Sequence, residues 1–385
     1  MTHDLHETGS GRAADATAAA AAPPAPRAER LARPGRSTLP TVTVVIPCYN
    51  YGRFVGDAVA SALDRQPGVD VSVLVIDDAS SDGSGDTVEG LVEEDPRVEA
   101  ILHEQNRGHI ATYNEGLAAA TTDYVTLLSA DDQLAPGALS RATALLDANP
   151  SVGLAYGRPR NFSGDAAPPA VVRRQRWRIW NGLDWIGAQS RRGQSCIYSP
   201  EAVVRTQVQH QVGGYSTDLP HTADLEMWLR IAAVADVGHI DGPDQAFRRV
   251  HPQSMMQTSF TDDLVDIQHR RQAYEKFFAG LPDHHPASAH AETARRRLAE
   301  EALEDASGLL VKKVAASRDD VETYIHLAAD LDAEVTASWQ WRELEAWLGW
   351  RTDRRFFCYL PANALTARRR IEHRIRRQSW RLRGV

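Results

Sequence analysis

The chain has 385 residues, enough for one large domain or two smaller ones, and a formal net charge of −8. No apolar run reaches the roughly 18 residues needed to span a bilayer, and the N-terminus lacks a basic region followed by a Leu-rich stretch. Three widely spaced cysteines, Cys48, Cys196 and Cys358, make neither a disulfide framework nor a zinc pattern, so the expectation is a cytoplasmic protein. Charge is uneven. Residues 351–385 hold 11 Arg against two acidic residues, a net of +9, and the remainder carries −17. An acidic body argues against a broad nucleic-acid surface.

In chain order, residues 1–40 read as a disordered leader, Ala-rich from Ala13 to Ala22 and then Pro-rich. Thr41 to Ile46 is β-branched and apolar, which predicts a buried strand ending at Pro47. A loop, Cys48 to Gly52, precedes a helix marked by Phe54, Val55, Ala58, Val59, Ala62 and Leu63. Val71 to Ile76 predicts a second strand, followed by Asp77-Asp78-Ala79-Ser80-Ser81-Asp82-Gly83, in which Asp82 or Ser81 suits a helix cap. Val98 to Leu102 predicts a third strand, and Ala111 to Ala120 a helix. Alternating strands and helices imply a mainly parallel sheet with right-handed crossovers.

The stretch Tyr124 to Leu134 organises the rest. An apolar run stops abruptly at Asp131 and Asp132. Two carboxylates at a strand end are costly unless water, a cation or donors receive them. In open α/β sheets ligands bind beyond the carboxyl ends of strands. A hard divalent ion uses one or two carboxylates and completes its shell with water and phosphate.

Beyond it, Leu139 to Leu146 predicts a helix and Val152 to Tyr156 a strand; residues 158–192 show no clear period. Asp224 opens a helix with Leu225, Trp228, Leu229 and Ala232 on its buried side. Val237 to Ile240 and Gln245 to His251 predict two short strands. Strand signals cease near Phe260, and helical patterns follow at Leu264 to Phe278, Ala294 to Val314, Val321 to Leu331 and Val335 to Trp350.

Several ordered motifs now carry a resemblance. They are Val-Val-Ile-Pro-Cys-Tyr-Asn at 44–50, Val-Ile-Asp-Asp-Ala-Ser-Ser-Asp-Gly at 75–83, and Asn106-Arg107-Gly108 followed by Asn114-Glu115-Gly116. Then come Leu-Leu-Ser-Ala-Asp-Asp at 127–132, Ala-Asp-Leu-Glu-Met-Trp-Leu-Arg at 223–230 and Arg-Arg-Val-His-Pro-Gln-Ser at 248–254. Over residues 41–255 the chain resembles the family 2 inverting glycosyltransferases, which have the GT-A fold. The resemblance implies an α/β domain over 41–259, a mixed but mainly parallel sheet flanked by helices. A helical C-terminal extension over 260–350 and the basic tail over 351–385 lie outside it.

The resemblance also implies roles. The donor is a nucleotide-diphosphate sugar, with UDP, dTDP or GDP left open. Tyr49, beside Pro47, offers a ring to the base, and Asp78 accepts from base or ribose while Asp77 supports the loop. Asn106 reads ribose or base edges, Gly108 permits close approach, and Arg107 is a candidate for phosphate. Asp131 meets ribose or the metal's water shell. Asp132 binds Mn²⁺ or Mg²⁺ directly, with His251 completing the site. Asp224 is the candidate general base, with Glu226 its rival. The acceptor is a glycan, a lipid-linked molecule or a small molecule.

Two positions depart from the family pattern: Ser129 stands where an acidic residue often occurs, and Ala223 where Glu usually precedes the base. Arg176-Trp177 lies before Asp224 rather than after it, unlike the Gln-x-x-Arg-Trp motif of processive synthases, so transfer of a single sugar is expected. A binding protein that kept the fold without catalysis is the alternative. A nucleotidyltransferase would show a Gly-rich basic loop after the first strand, and Cys48 to Gly52 contains no Lys. The Arg-rich tail, interleaved with Leu365, Ile371, Ile375, Trp380 and Leu382, suits peripheral contact with anionic lipid or docking on the acidic body.

Overall fold

The computed structural model describes residues 27–29, 39–171, 173–252, 263–311, 318–338, 340–342, 344–345 and 384–385. In chain order its elements are β1 (Arg27–Glu29), β2 (Thr41–Cys48), α1 (Gly52–Leu63), β3 (Asp70–Asp77), α2 (Ser84–Glu94), β4 (Val98–Leu102) and α3 (His109–Ala119). Next are β5 (Tyr124–Leu127), β6 (Gln133–Leu134), α4 (Ala138–Ala148), β7 (Val152–Phe162), β8 (Arg176–Trp180) and α5 (Gly182–Arg192). The last are β9 (Val203–Arg205), α6 (Thr206–Val212), α7 (Ala223–Val234), β10 (Asp236–Arg249), α8 (Asp263–Ala279), α9 (Ala291–Val311) and α10 (Arg318–Leu331).

One sheet unites the strands in the order β1-β8-β10-β7-β9-β5-β2-β3-β4, with β6 paired to β10. Strand β2 runs parallel to β3 and β5, and β3 runs parallel to β4. Antiparallel β9 bridges β5 and β7, and β7 runs parallel to β10. The centre is dry, as the apolar runs predict: Val42, Val44, Val45 and Ile46 of β2 are fully buried, and so is Val125 of β5. Full burial of each such side chain contributes about 1.5–3 kcal/mol.

Helices α1, α2 and α4 cover one face through Val55, Ala58, Val88, Leu139 and Leu145. Helices α3, α5 and α7 cover the other through Ile110, Ile186, Leu225 and Ile231, and α8 to α10 pack onto this second layer. Helix α3 approaches β2 so closely that a Cβ on Gly116 would lie 2.2 Å from Val45 Cγ1.

Several sequence expectations change. Residues 27–29 of the leader form β1, antiparallel to β8, so the leader is not wholly structureless. The two predicted strands at 237–251 are one strand, β10, whose register shifts between His239 and Ala246 keep both halves paired with β7. Strand β7 runs on to Phe162, and residues 158–192 supply β8 and α5. The helix expected from Val335 begins instead as a 3₁₀ turn, Ala333–Ala337. Residues 346–350 and the basic tail up to Arg383 lie outside the described residues; Gly384 and Val385 are buried, the Gly384 carbonyl accepting from Tyr156 Oη. Among the described residues no helix is long and apolar enough to cross a membrane.

Candidate active site

The carboxyl ends of β2, β3, β4 and β5 open into a cavity of about 630 Å³. Pro47, Tyr49, Asp78, Asn106, Gly108, Asp131 and Asp132, residues assigned to donor and metal from the sequence, all line it. Tyr49 is 49% exposed there.

Local chemistry fixes each wall. Asp77 accepts the amide of Ser80 at 3.0 Å and its hydroxyl at 2.5 Å, so it does support the loop. Asp82 accepts the amide of Ser84 at 3.0 Å, serving the first turn of α2. Asp78 is almost saturated: its Oδ1 accepts from the Arg107 amide at 2.8 Å and lies 2.7 Å from His103 Nδ1. Its Oδ2 accepts from the Gly108 amide at 2.9 Å. Burial opposes the charge, but these donors outweigh it and hold the carboxyl below its usual range. Asn106 Nδ2 adds a bond to the Asp78 carbonyl at 3.0 Å. Gly108 sits at φ 84°, a conformation that favours glycine. The Asp78 carboxylate thus shapes the 103–108 loop and keeps acceptor capacity on Oδ2.

Arg107 corrects its expectation. Its guanidinium pairs with Glu115 at 2.7 Å and is absent from the cavity wall. Arg248 lines the cavity instead, its guanidinium 4.9 Å from the centre of the Tyr198 ring. Neighbouring Arg249 is committed to structure: it donates to the carbonyls of Asp131 at 3.0 Å and Asp165 at 3.2 Å.

Asp131 and Asp132 sit on the turn after β5, only 8% and 5% exposed. Asp132 accepts the Arg249 amide at 2.9 Å. Burial first, and the adjacent Asp131 second, push the Asp132 carboxyl well above its usual range. His251 Nε2 lies 3.1 Å from Asp131 Oδ2, so this ring meets Asp131 rather than Asp132. It packs edge-on against Tyr51 at 5.7 Å. Among the described residues no group of three or more His, Cys, Asp or Glu makes a complete metal cage. What exists is a buried, self-repelling carboxylate pair open to a cavity, which fits a hard divalent cation that takes its other ligands from water and phosphate.

Asp224 stands in the first turn of α7, and its Oδ1 accepts the Leu225 amide at 2.7 Å. It is not among the cavity-lining residues. Its surroundings desolvate it and, with Asp266 adding repulsion, push its carboxyl up to about 6. Tyr113 links the two regions: it lines the cavity, and burial together with the charges of Asp131, Asp132 and Asp224 raises its phenol. Glu226 is otherwise engaged. Arg230 grips it through two bonds of 2.7 and 2.8 Å, and the carboxylate side chain is 4% exposed.

Sequence reasoning missed Tyr51, His109, Tyr113 and Arg248 as cavity residues. Tyr51 and Arg248 stood inside or beside quoted motifs. His109 and Tyr113, four apart at the start of α3, were the readable signal, since that spacing puts both on one helical face.

A mixed sheet flanked by helices, with a donor-sized cavity beyond its parallel strand ends and a carboxylate pair inside, defines the GT-A class of nucleotide-sugar transferase fold. Solved structures agree on the fold. TarS of S. aureus in complex with UDP-GlcNAc aligns with TM-score 0.56 at 15% identity, over 82% of this chain and 93% of that one. A mannosyltransferase of Pyrobaculum calidifontis in complex with GDP-Man and Mn2+ aligns with TM-score 0.51 at 19% identity, over 86% and 84%. Residues 43–195 match the family described as glycosyl transferase family 2. The succinoglycan biosynthesis protein ExoO of Rhizobium meliloti is 36% identical over 115 residues, 30% of this chain and 32% of that protein. Matches of this kind span about a third of the relatives' length.

Proposed function

We propose that this protein transfers a single sugar from a nucleotide-diphosphate donor to an acceptor hydroxyl, with inversion at the anomeric carbon. The carrying observation is that the ends of four strands bring Tyr49, Asp78, the 106–108 loop and the Asp131–Asp132 pair to one cavity. That wall offers a ring to a base, acceptors and amides to a ribose, and carboxylates to the counter-ion of a diphosphate. The same fold holds UDP-GlcNAc in TarS and GDP-Man with Mn2+ in the mannosyltransferase. The ExoO relationship favours a role in polysaccharide or related glycan synthesis.

Asp132, with Asp131 and His251 beside it, would hold Mn²⁺ or Mg²⁺. When bound, the cation neutralises the charge that develops on the departing diphosphate. Arg248 adds a fixed positive charge at the same wall. Asp224 takes the proton of the acceptor hydroxyl as that oxygen bonds to C1; the C1–O bond breaks and its electron pair leaves on the nucleotide diphosphate. A carboxylate shifted to about 6 is ionised at neutral pH and basic enough to assist. Cytoplasmic location, and contact of the basic tail with anionic lipid, belong to the same proposal; co-sedimentation with anionic liposomes, with and without residues 365–385, tests the latter.

The test is nucleotide release from UDP-, dTDP- and GDP-sugars in parallel, with Mn²⁺, Mg²⁺ or EDTA. Metal-dependent release from one donor class is expected. Nucleotide binding without release from any donor would replace this reading with the binding-only one.

A further inference from the structure

Helix α8 lies wholly beyond the family match, which ends at residue 195, yet it reaches the segment that carries Asp224. Thr222 donates its hydroxyl to the carbonyl of His269 on α8 at 3.0 Å. The rings of His221 and His269 lie face to face, centroids 4.1 Å apart and planes 19° from parallel. Beside them, His109 Nε2 donates to the Pro220 carbonyl at 3.1 Å. His109 also lines the donor cavity and meets Tyr113 at 5.5 Å. Tyr113, His109, the Pro220 carbonyl and the His221–His269 pair therefore lead from the donor cavity to α8. Asp266 stands one turn before His269, its side chain 53% exposed; one oxygen accepts from Arg270 at 2.8 and 2.9 Å, and the carboxylate lies within electrostatic reach of both Asp224 and His221.

Packing alone does not explain the pair. Helix α8 is already anchored by Ile267, Ala273, Tyr274 and Phe277, each at most 2% exposed. Both histidines are only half-buried. Stacked imidazoles repel if both are charged. Burial, and His269 after it, push His221 down to about 4, so that ring is neutral at pH 7 and its face is apolar. A neutral imidazole has a flat, weakly polar face and an edge with one donor and one acceptor. A pyranose has the matching form, a C–H face with hydroxyls around its rim.

Resting on the transfer reading above, we infer that the His221–His269 stack, with Asp266 beside it, is the acceptor subsite and seats a pyranoside ring so that one hydroxyl faces Asp224. Helix α8, outside the residues that match the family, then selects the acceptor. Among the described residues His269 is not part of the donor cavity's lining, so its loss affects the two substrates differently.

The test uses the full chain with Mn²⁺, with UDP-GlcNAc and GDP-mannose as donors. The acceptor probes are p-nitrophenyl glycosides of glucose, mannose and N-acetylglucosamine. For the glycoside that stimulates nucleotide release, His269→Ala should raise the acceptor KM about tenfold and leave the donor KM within about twofold. His269→Phe, which keeps a flat ring, should recover most of the loss. An unchanged acceptor KM in His269→Ala overturns the subsite. So does a parallel rise in both KM values with a lowered Tm, the mark of a packing role. Release into water that no glycoside stimulates overturns the subsite while the transfer reading stands; no release from any donor removes the transfer reading itself.

Discussion

Asp132 accepts the backbone amide of Arg249 at 2.9 Å, a bond that joins the one from Arg249 Nε to the Asp131 carbonyl in tying β10 to the turn after β5. Among the described residues it is the one hydrogen bond to the Asp132 carboxylate; the charges of Arg248 and Arg249 assist it, but burial and the like charge of Asp131 outweigh them. A carboxyl raised above its unfolded value destabilises the fold once ionised: the cost is absent below the unfolded pKa and grows as pH rises towards the folded value.

Asp132→Asn should therefore separate activity from stability. The amide oxygen keeps the Arg249 bond and removes the repulsion, so Tm in EDTA at pH 8 should equal or exceed that of the native chain. Metal-dependent nucleotide release should fall by roughly 10³, the several kcal/mol a cation supplies to a leaving group. Native-like release from the variant would move the metal site elsewhere.

Asp224→Asn tests the base. Turnover should drop by about 10²–10⁴ with donor affinity intact. In the native chain, turnover should decline as pH falls through about 6, because the carboxyl becomes protonated. Stability at that residue runs the other way, since protonation relieves the cost of a buried charge. A pH–rate profile flat from pH 5 to 8 is the opposing result.

Arg230→Met should destabilise the fold by about 3 kcal/mol, since it strands the buried Glu226 without its partner. The double variant Arg230→Met, Glu226→Leu should regain much of that loss in chemical denaturation. Glu226→Gln should keep near-native turnover; a loss as large as that of Asp224→Asn would make Glu226 the base.

His103 Nδ1 lies 2.7 Å from Asp78 and its Nε2 2.9 Å from Glu115, so both nitrogens of the ring face carboxylates. His103→Ala should loosen the 103–108 loop and raise the donor KM about tenfold, with a smaller change in kcat. Donor titrations that superimpose on the native curve would show that the loop needs no such brace.

Much of this was legible because the central strands of the donor half, β2 and β5, are short, almost wholly buried and followed by polar residues. The run from Tyr124 to Leu128 has no helical period, and Asp131 and Asp132 break it sharply. Other features depend on contacts distant in sequence. Arg107 looks like a phosphate ligand until Glu115, two helical turns along α3, takes its charge. His251 reads as a partner of Asp132, but the turn presents Asp131 to it. Strand β10 reads as two strands because Asp241-Gly242-Pro243 looks like a turn, whereas the sheet absorbs it as an irregularity. The α8 contact joins residues 221 and 269, 48 positions apart, and no local pattern announces it.

The central claim is one displacement, with the leaving diphosphate at Asp131 and Asp132 and the incoming oxygen deprotonated by Asp224. The anomeric form of the first-formed product, followed by proton NMR from an α-linked donor such as UDP-GlcNAc, tests it most directly. The account predicts the β anomer; an α product formed at the same rate would contradict it.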